Sequence, residues 1–430
     1  MNHTRFKGFW ALTGFAGAAA LALSMNAQAV PSFARQTGMP CGACHTVFPE
    51  LTAFGRSFKL NGYTLTGMKQ IQSTSTAGSV KINEIPPLSA MLQVGFTNVA
   101  KGQDNQVQFP QELSLYYAGE ISPHMGTFLQ VTMDGPGKSF DFDMADVRYA
   151  NHAMLGGHGL TYGVTLDNMP GMEDVWDTTP AWTYPYTTGT GPDNGIGQSK
   201  LFHTMGAGLG GYALWDNHWY GAVSLYRSSP GMGHSIRNFA PYWRLAWQGY
   251  LPNHAYLEVG TYGLYAKVDN MPTTTTTFAP VLPCTAIATG CAVTSTTTMA
   301  PNGYTKYTDW ALDTSYQQPL NGGNLLSLHA VYLHENQAIS NGSGNLLQQF
   351  RTDGSYEFGH WAQASLGYFN SWNSSNTAPT KDIAGFVAEA DYLPWENTKF
   401  SLQYTAYTKY TGSSSASDNN TLYLNSWLMW

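Results

Sequence analysis

Lys399-Phe400-Ser401-Leu402-Gln403-Tyr404-Thr405-Ala406-Tyr407-Thr408-Lys409-Tyr410 alternates apolar and polar residues. Phe400, Leu402, Tyr404, Ala406 and Tyr410 fall on one side, and Lys399, Ser401, Gln403, Thr405 and Lys409 on the other. A period of two puts successive side chains on opposite faces of a β-strand. The same alternation runs through Glu112–Ile121, Trp243–Leu251 and Ile383–Tyr392. Extended along the chain, it predicts sixteen strands, starting near 89, 112, 126, 143, 160, 203, 219, 238, 255, 307, 324, 346, 362, 381, 398 and 420.

The connections alternate in length. Short turns fall at Ser122-Pro123-His124, Gly156-Gly157-His158, Asp216-Asn217-His218, Pro252-Asn253-His254, Asn321-Gly322-Gly323, Gly359-His360-Trp361 and Trp395-Glu396-Asn397, with longer loops between them. An even strand count, with short turns at one end and long loops at the other, is the pattern of a transmembrane β-barrel. The final strand carries Leu422, Leu424, Leu428 and Trp430 on one face, which resembles the terminal signal that barrel assembly machinery reads. A soluble all-β sheet is the rival. It fits poorly with 11% charged residues, 14% aromatics and apolar faces on nearly every strand. No later run is long and apolar enough for a membrane helix.

Residues 1–29 read as a secretory signal peptide. Arg5 and Lys7 precede the apolar run Phe9–Leu23, and Ala27-Gln28-Ala29 supplies the small residues of a cleavage site. The run is short of the ~20 residues that span a bilayer. Without this segment the chain holds eighteen basic and twenty-seven acidic side chains, a net charge of −9. That balance argues against nucleic acid as a partner and is compatible with a cation.

One motif carries cofactor chemistry. Cys41-Gly42-Ala43-Cys44-His45 is a C-x-x-C-H run, the attachment sequence of a c-type haem. Two thiols reach the vinyl groups, and the adjacent imidazole binds the iron. A redox C-x-x-C pair and half of a zinc site are the alternatives; no second C-x-x-C completes a zinc site. Downstream, Pro49 opens an expected helix on which Leu51, Phe54 and Phe58 share an apolar face, stopping at Asn61-Gly62. Residues 73–87, rich in Ser and Thr and ending in Pro86-Pro87, read as a linker. So small a segment hardly covers a haem alone. The expected organisation is therefore a signal peptide (1–29), a small α-helical monohaem cytochrome c-like segment and linker (30–85), and a 16-stranded antiparallel barrel (86–430) that the first segment plugs.

The run Cys41-x-x-Cys44-His45, then Phe48-Pro49-x-Leu51-x-x-Phe54-Gly55-Arg56-x-Phe58-Lys59-Leu60-Asn61-Gly62-Tyr63, with Pro31-Ser32-Phe33-Ala34-Arg35-Gln36-Thr37-Gly38 before it, resembles the fused cytochrome c–porins of the outer membrane, typified by the iron oxidases of iron-oxidising bacteria. Over the barrel the resemblance is one of architecture. It implies one covalent haem c, electron uptake from extracellular Fe(II), delivery to a periplasmic electron carrier such as a soluble cytochrome, and residence in outer-membrane lipid. A solute channel with a haem-bearing plug, or a conduit for another extracellular donor, is the alternative. One haem does not bridge a bilayer of ~40 Å, so the donor either enters the lumen or meets the haem near the outer mouth.

His45 is the expected axial ligand. Met68 is a candidate for the opposite face, where a thioether raises the haem potential; Met39, Met91, a barrel histidine or water stay open. Arg35, Arg56 and Lys59 are candidates for the haem propionates, with wall ion pairs as the other reading. Acidic residues cluster at Asp134, Asp141, Asp143 and Asp146, and again at Glu173, Asp174 and Asp177, where solvated loop surface is the plain interpretation. Cys284 and Cys291 are expected to form a local disulfide in a Thr- and Pro-rich loop.

Overall fold

The computed structural model describes residues 30–46, 50–65, 68, 70–73, 80–83, 86–101, 106–176, 178, 206–228, 235–269, 273–280, 293–300, 303–340, 342, 344–373 and 382–430. Sixteen antiparallel strands form a closed barrel, the architecture of outer-membrane porins. In chain order they are β1 (Leu88–Val99), β2 (Gln106–Ser122), β3 (Met125–Asp134), β4 (Asp141–Leu155), β5 (His158–Asp167), β6 (Ala207–Trp215), β7 (Trp219–Arg227) and β8 (Ala240–Tyr250). The second half is β9 (Tyr256–Asp269), β10 (Tyr304–Pro319), β11 (Leu325–Ile339), β12 (Asn345–Phe358), β13 (Ala362–Asn373), β14 (Ile383–Trp395), β15 (Thr398–Tyr410) and β16 (Thr421–Met429). Each strand pairs with its neighbours in sequence, and β16 closes the ring on β1, with Met429 opposite Met91. Closure leaves no unpaired edge.

The predicted faces hold. Outward side chains such as Leu245, Leu312, Leu328 and Leu366 are exposed, while inward Arg244, Asp313, Ser327 and Ser365 are buried. Apolar outside and polar inside is the inverse of a soluble barrel and suits lipid contact. No helix among the described residues is long and apolar enough to cross a membrane. Inward polar groups all round the ring, including Gln93, Ser114, Arg148, Ser224, Glu258 and Gln403, are almost wholly withdrawn from water.

Two departures from the alternation have local causes. β2 begins at Gln106, because a bulge opposite Val94 absorbs residues 109–111 and lets pairing continue. On β15, Gly385 pairs with Tyr407 but Ala384 with Lys409, so Thr408 is extra. The slip turns Tyr410 inward against Tyr407, at 5.2 Å between ring centroids, and carries Lys409 out to Asp382 at 2.6 Å. Both residues thus face opposite to the expectation.

Before the barrel lie three short helices, α1 (Pro31–Thr37), α2 (Cys41–Cys44) and α3 (Ala53–Leu60). Gly38, at φ 70°, ends α1 in the left-handed region that glycine enters without strain. The predicted helix starts later than Pro49. Thr52 caps α3 by accepting from the Gly55 N–H at 3.1 Å, and Leu51 sits instead in a β-bridge with His45. Phe58 and Leu60 are buried, whereas Phe54 is exposed and does not join their face. The stop is as expected: Asn61 caps the helix and Gly62 has φ 69°. The stretch read as a linker contains strand Val80–Asn83, paired with Gln70–Ser73. In the long loop after β9, Thr273–Pro280 pairs with Val293–Ala300. Phe48, Pro49, Asp177, Cys284 and Cys291 lie outside the described residues.

Candidate haem-binding segment

Cys41 and Cys44 occupy one helical turn, and no disulfide joins them. His45 follows directly, in extended backbone, with its N–H donating to the Cys41 carbonyl at 3.0 Å. The His45 ring is fixed from behind. Its Nδ1 stands 3.2 Å from the Glu50 carbonyl oxygen, which can only accept, so the proton sits on Nδ1. That tautomer puts the lone pair on Nε2, the arrangement that iron-ligating histidines take. The Glu50 carbonyl also accepts from Thr46 N–H at 3.1 Å, so the 45–51 bridge is closed by backbone on both sides.

α3 lies directly on this turn. A Cβ on Gly55 would stand 2.2 Å from the Cys44 carbonyl oxygen, so only glycine permits the contact. Thr52 donates its hydroxyl to the Ala43 carbonyl at 2.7 Å, and its N–H to the Cys44 carbonyl at 2.9 Å. Phe33, Phe58 and Tyr63 form a small aromatic core beneath, with Phe33 stacked on Tyr63 at 5.3 Å. Burial pushes the Cys44 thiol up to about 11. A nucleophilic dithiol needs the opposite shift, toward thiolate. The geometry and the donor chemistry fit thioether attachment of a haem c and axial ligation by His45. Phe54, the exposed aromatic next to Gly55, offers apolar surface for a macrocycle to cover.

The segment is tied to the barrel end that carries the short turns. Cys41 N–H donates to Glu396 Oε2 at 3.0 Å, and Gly42 lies under the ring of His360, where a Cβ would be at 2.9 Å. Gly62 lies against the backbone oxygens of His124 and Arg148. Tyr63 donates to Asp146 Oδ2 at 2.6 Å; burial, reinforced by Asp146, pushes that phenol well above its usual range and keeps it a donor.

The other expected site residues are spread more widely. Arg35 Nη2 donates to the Leu88 carbonyl at the start of β1. Arg56 is buried, donates to the Leu51 carbonyl and to Gln317 Oε1 at 3.3 Å, and stacks on Tyr256 at 4.2 Å. Lys59 is half-buried in the last turn of α3. Met68 folds back on its own chain, its Sδ accepting from Leu65 N–H at 3.2 Å. Met91 points inward and accepts from Tyr116 at 3.4 Å.

The acidic residues divide. Asp134 and Asp141 are exposed, while Asp146, Glu173 and Asp174 are fully buried, so the last two are not loop surface. The chain after β5 turns into the lumen through a 3-10 turn at Pro170–Glu173. Arg148 Nε binds Asp146 at 2.6 Å, and its Nη2 meets the Met172 carbonyl at 2.8 Å and Glu173 at 3.9 Å. Arg244 gathers Asp174 at 3.4 Å, Glu258 at 3.2 Å and Asp313. Val175 and Trp176 of this inward loop pack in one cluster with Leu60 and Tyr256.

A second buried charge cluster had no sequence signal. Glu50, whose carbonyl fixes His45, turns its carboxylate to His329 of β11, at 3.4 Å from Nδ1; Asp353 of β12 approaches the same nitrogen at 3.2 Å. His329 and Asp353 are register partners, which the barrel pairing alone brings together.

No family model matches the chain, and no curated protein matches it. Among solved structures, a loop-deletion mutant of OmpT, an outer membrane protein of Vibrio cholerae, aligns with 80% of this chain and 98% of its own at 10% identity, TM-score 0.48. The outer membrane channel DcaP of Acinetobacter baumannii aligns with 80% of this chain and 96% of its own at 12% identity, TM-score 0.48. Salmonella typhi OmpF aligns with 80% of this chain and 97% of its own at 12% identity, TM-score 0.47. At such scores the likeness carries no argument, and the fold rests on the closed strand order itself.

Proposed function

We propose that the chain is an outer-membrane cytochrome c–porin that takes electrons from extracellular Fe(II) and passes them to a periplasmic carrier. In this reading residues 1–29 are a signal peptide, residues 30–85 form a monohaem plug, and residues 86–430 form the barrel. The observation that carries it is the Cys41–Cys44 turn with His45 held in the Nδ1–H tautomer by the Glu50 carbonyl. Cys41 and Cys44 would hold the haem by thioethers and His45 by its Nε2; Met68 is the candidate opposite ligand, and Arg35, Arg56 and Lys59 the candidate propionate partners. A haem c so held supplies a one-electron redox centre.

The chain's own residues do three things for that centre. The Glu50 carbonyl orients the His45 imidazole and raises its basicity as a ligand. Gly55 and Thr52 lock the attachment turn to α3. Burial of the inward polar groups excludes bulk water from the wall around it. The same burial argues against a wide solute channel, since lumen-lining groups in an open pore are wetted. The acidic excess and the apolar outer face support a cationic donor and a lipid setting.

Stopped-flow mixing of the oxidised protein with Fe(II) tests the reading. Haem bands that turn to the reduced form within the mixing record support it. Full haem content with no reduction at saturating Fe(II) removes the iron assignment. Large ion conductance through the haem-loaded protein in a planar bilayer would favour the channel alternative. His45→Ala is expected to abolish the ligated haem spectrum, and Cys41→Ser with Cys44→Ser to abolish covalent haem.

A further inference from the structure

We propose that Glu50, His329 and Asp353 bind a divalent first-row transition-metal cation. Their ligand-capable atoms lie within 4.8 Å of one another, and come from three separate places: Glu50 ahead of α3, His329 on β11 and Asp353 on β12. All three side chains are deeply buried, at 4%, 8% and 11% exposure for Glu50, His329 and Asp353. Two carboxylates aim at one imidazole nitrogen. A single Nδ1 proton donates to one acceptor at a time; Asp353 takes it at 3.2 Å, while Glu50 Oε1 stands 3.4 Å from the same nitrogen and Glu50 Oε2 accepts from the Thr46 hydroxyl at 3.1 Å. A cation in place of that proton serves both. The separations are also right: two ligands at ~2.1 Å from a metal, at a tetrahedral angle, stand ~3.4 Å apart.

The neighbouring charges are of both signs. Arg56 and Arg351 are guanidiniums whose charge reaches His329 and Asp353, and Arg56 is already engaged with Leu51 and Gln317. Glu357, on the inward face of β12 with Asp353, feels the charge of Glu50, and its buried Oε1 has no hydrogen-bond partner. One imidazole with carboxylates suits Fe(II), Mn(II) or Zn(II), whereas an all-oxygen set suits Mg(II) or Ca(II).

Glu50 gives the site its position. Its backbone carbonyl orients His45 while its carboxylate joins the cluster, so one residue touches both. Identifying the cation with the Fe(II) substrate rests on the proposed function; the site itself does not.

The test uses Mn(II) alone and the full chain in detergent. Room-temperature EPR reads free Mn(II) as bound ion leaves the six-line signal. One equivalent is expected to bind the wild type. His329→Leu and Asp353→Asn are each expected to weaken it more than about a hundredfold, beyond the roughly 10–100-fold that loss of a supporting partner costs. Asp353→Asn preserves volume, and the gel mobility of the unheated barrel reports folding of each variant. Equal Mn(II) binding by the wild type and by the His329→Leu, Asp353→Asn double variant overturns the proposal. Fe(II) stopped-flow on the same samples decides the proposed function separately: Mn(II) bound with no haem reduction keeps the site and removes that reading.

Discussion

Two kinds of buried charge stand inside this barrel, and they are solved differently. On the β4–β10 side, guanidinium forks from Arg148 and Arg244 meet Asp146, Glu173, Asp174, Glu258 and Asp313, and the inward loop supplies Glu173 and Asp174. On the β11–β12 side, one imidazole faces Glu50 and Asp353. A guanidinium is always charged and has five donors in a fixed fork, so one can face several carboxylates at once. An imidazole has two nitrogens and an exchangeable proton. The first cluster is held by groups that keep their charge; the second centres on a group that can give up its proton.

The largest effect should come from breaking the first cluster. Arg244→Met leaves Asp174, Glu258 and Asp313 buried together without their guanidinium. The expected loss is about 3–5 kcal/mol of unfolding free energy, read by urea titration of the detergent-solubilised barrel. Second in size is ligand linkage. Mn(II) at one hundred times its dissociation constant should raise the wild type's unfolding free energy by about 2.7 kcal/mol. His329→Leu should show no such gain, and Arg244→Met should keep it. If both variants lose the response, the two clusters are one unit and the contrast fails.

Smaller effects test the loop that Glu50 shares. Gly55→Ala drives a Cβ into the Cys44 carbonyl and should cost about 1–3 kcal/mol. Limited proteolysis should show earlier cleavage in residues 30–65, with the barrel still resistant. The smallest effect is one of reactivity. In protein made without haem, Cys44 alkylation by iodoacetamide should keep rising with pH until about 11, because burial favours the neutral thiol. A plateau near pH 9 would mean that the turn is open to water.

The strands were legible because lipid outside and polar packing inside impose a period of two on every one of them. All starts but that of β2 fall within four residues of expectation. The exceptions are places where period two breaks. The bulge at residues 109–111 contains Pro110, which cannot donate to the ladder and so marks the break; the one at Thr408 has no such mark, and it reversed the faces of Lys409 and Tyr410. The C-x-x-C-H run was legible because the haem attachment proposed for it requires that spacing. Its supports were not: Thr52 caps the helix, and Leu51 is bridged to His45 rather than lying on the helix. Glu173 and Asp174 looked like loop surface because Arg148 and Arg244 are supplied by strands apart from them in sequence. Glu50 met His329 for the same reason, across 279 positions of sequence that only barrel closure brings together.

Closure also sets an order of events. The segment before β1 is fastened by Tyr63 to Asp146, 83 residues away, by Arg56 to Gln317, 261 away, and by Cys41 to Glu396, 355 away. Contacts of such range repay their loop-closure entropy only late, after the intervening chain is ordered. The last fastening waits for the β14–β15 turn, near the end of the chain. Seating the N-terminal helices is therefore expected to follow the ordering of the β14–β15 turn.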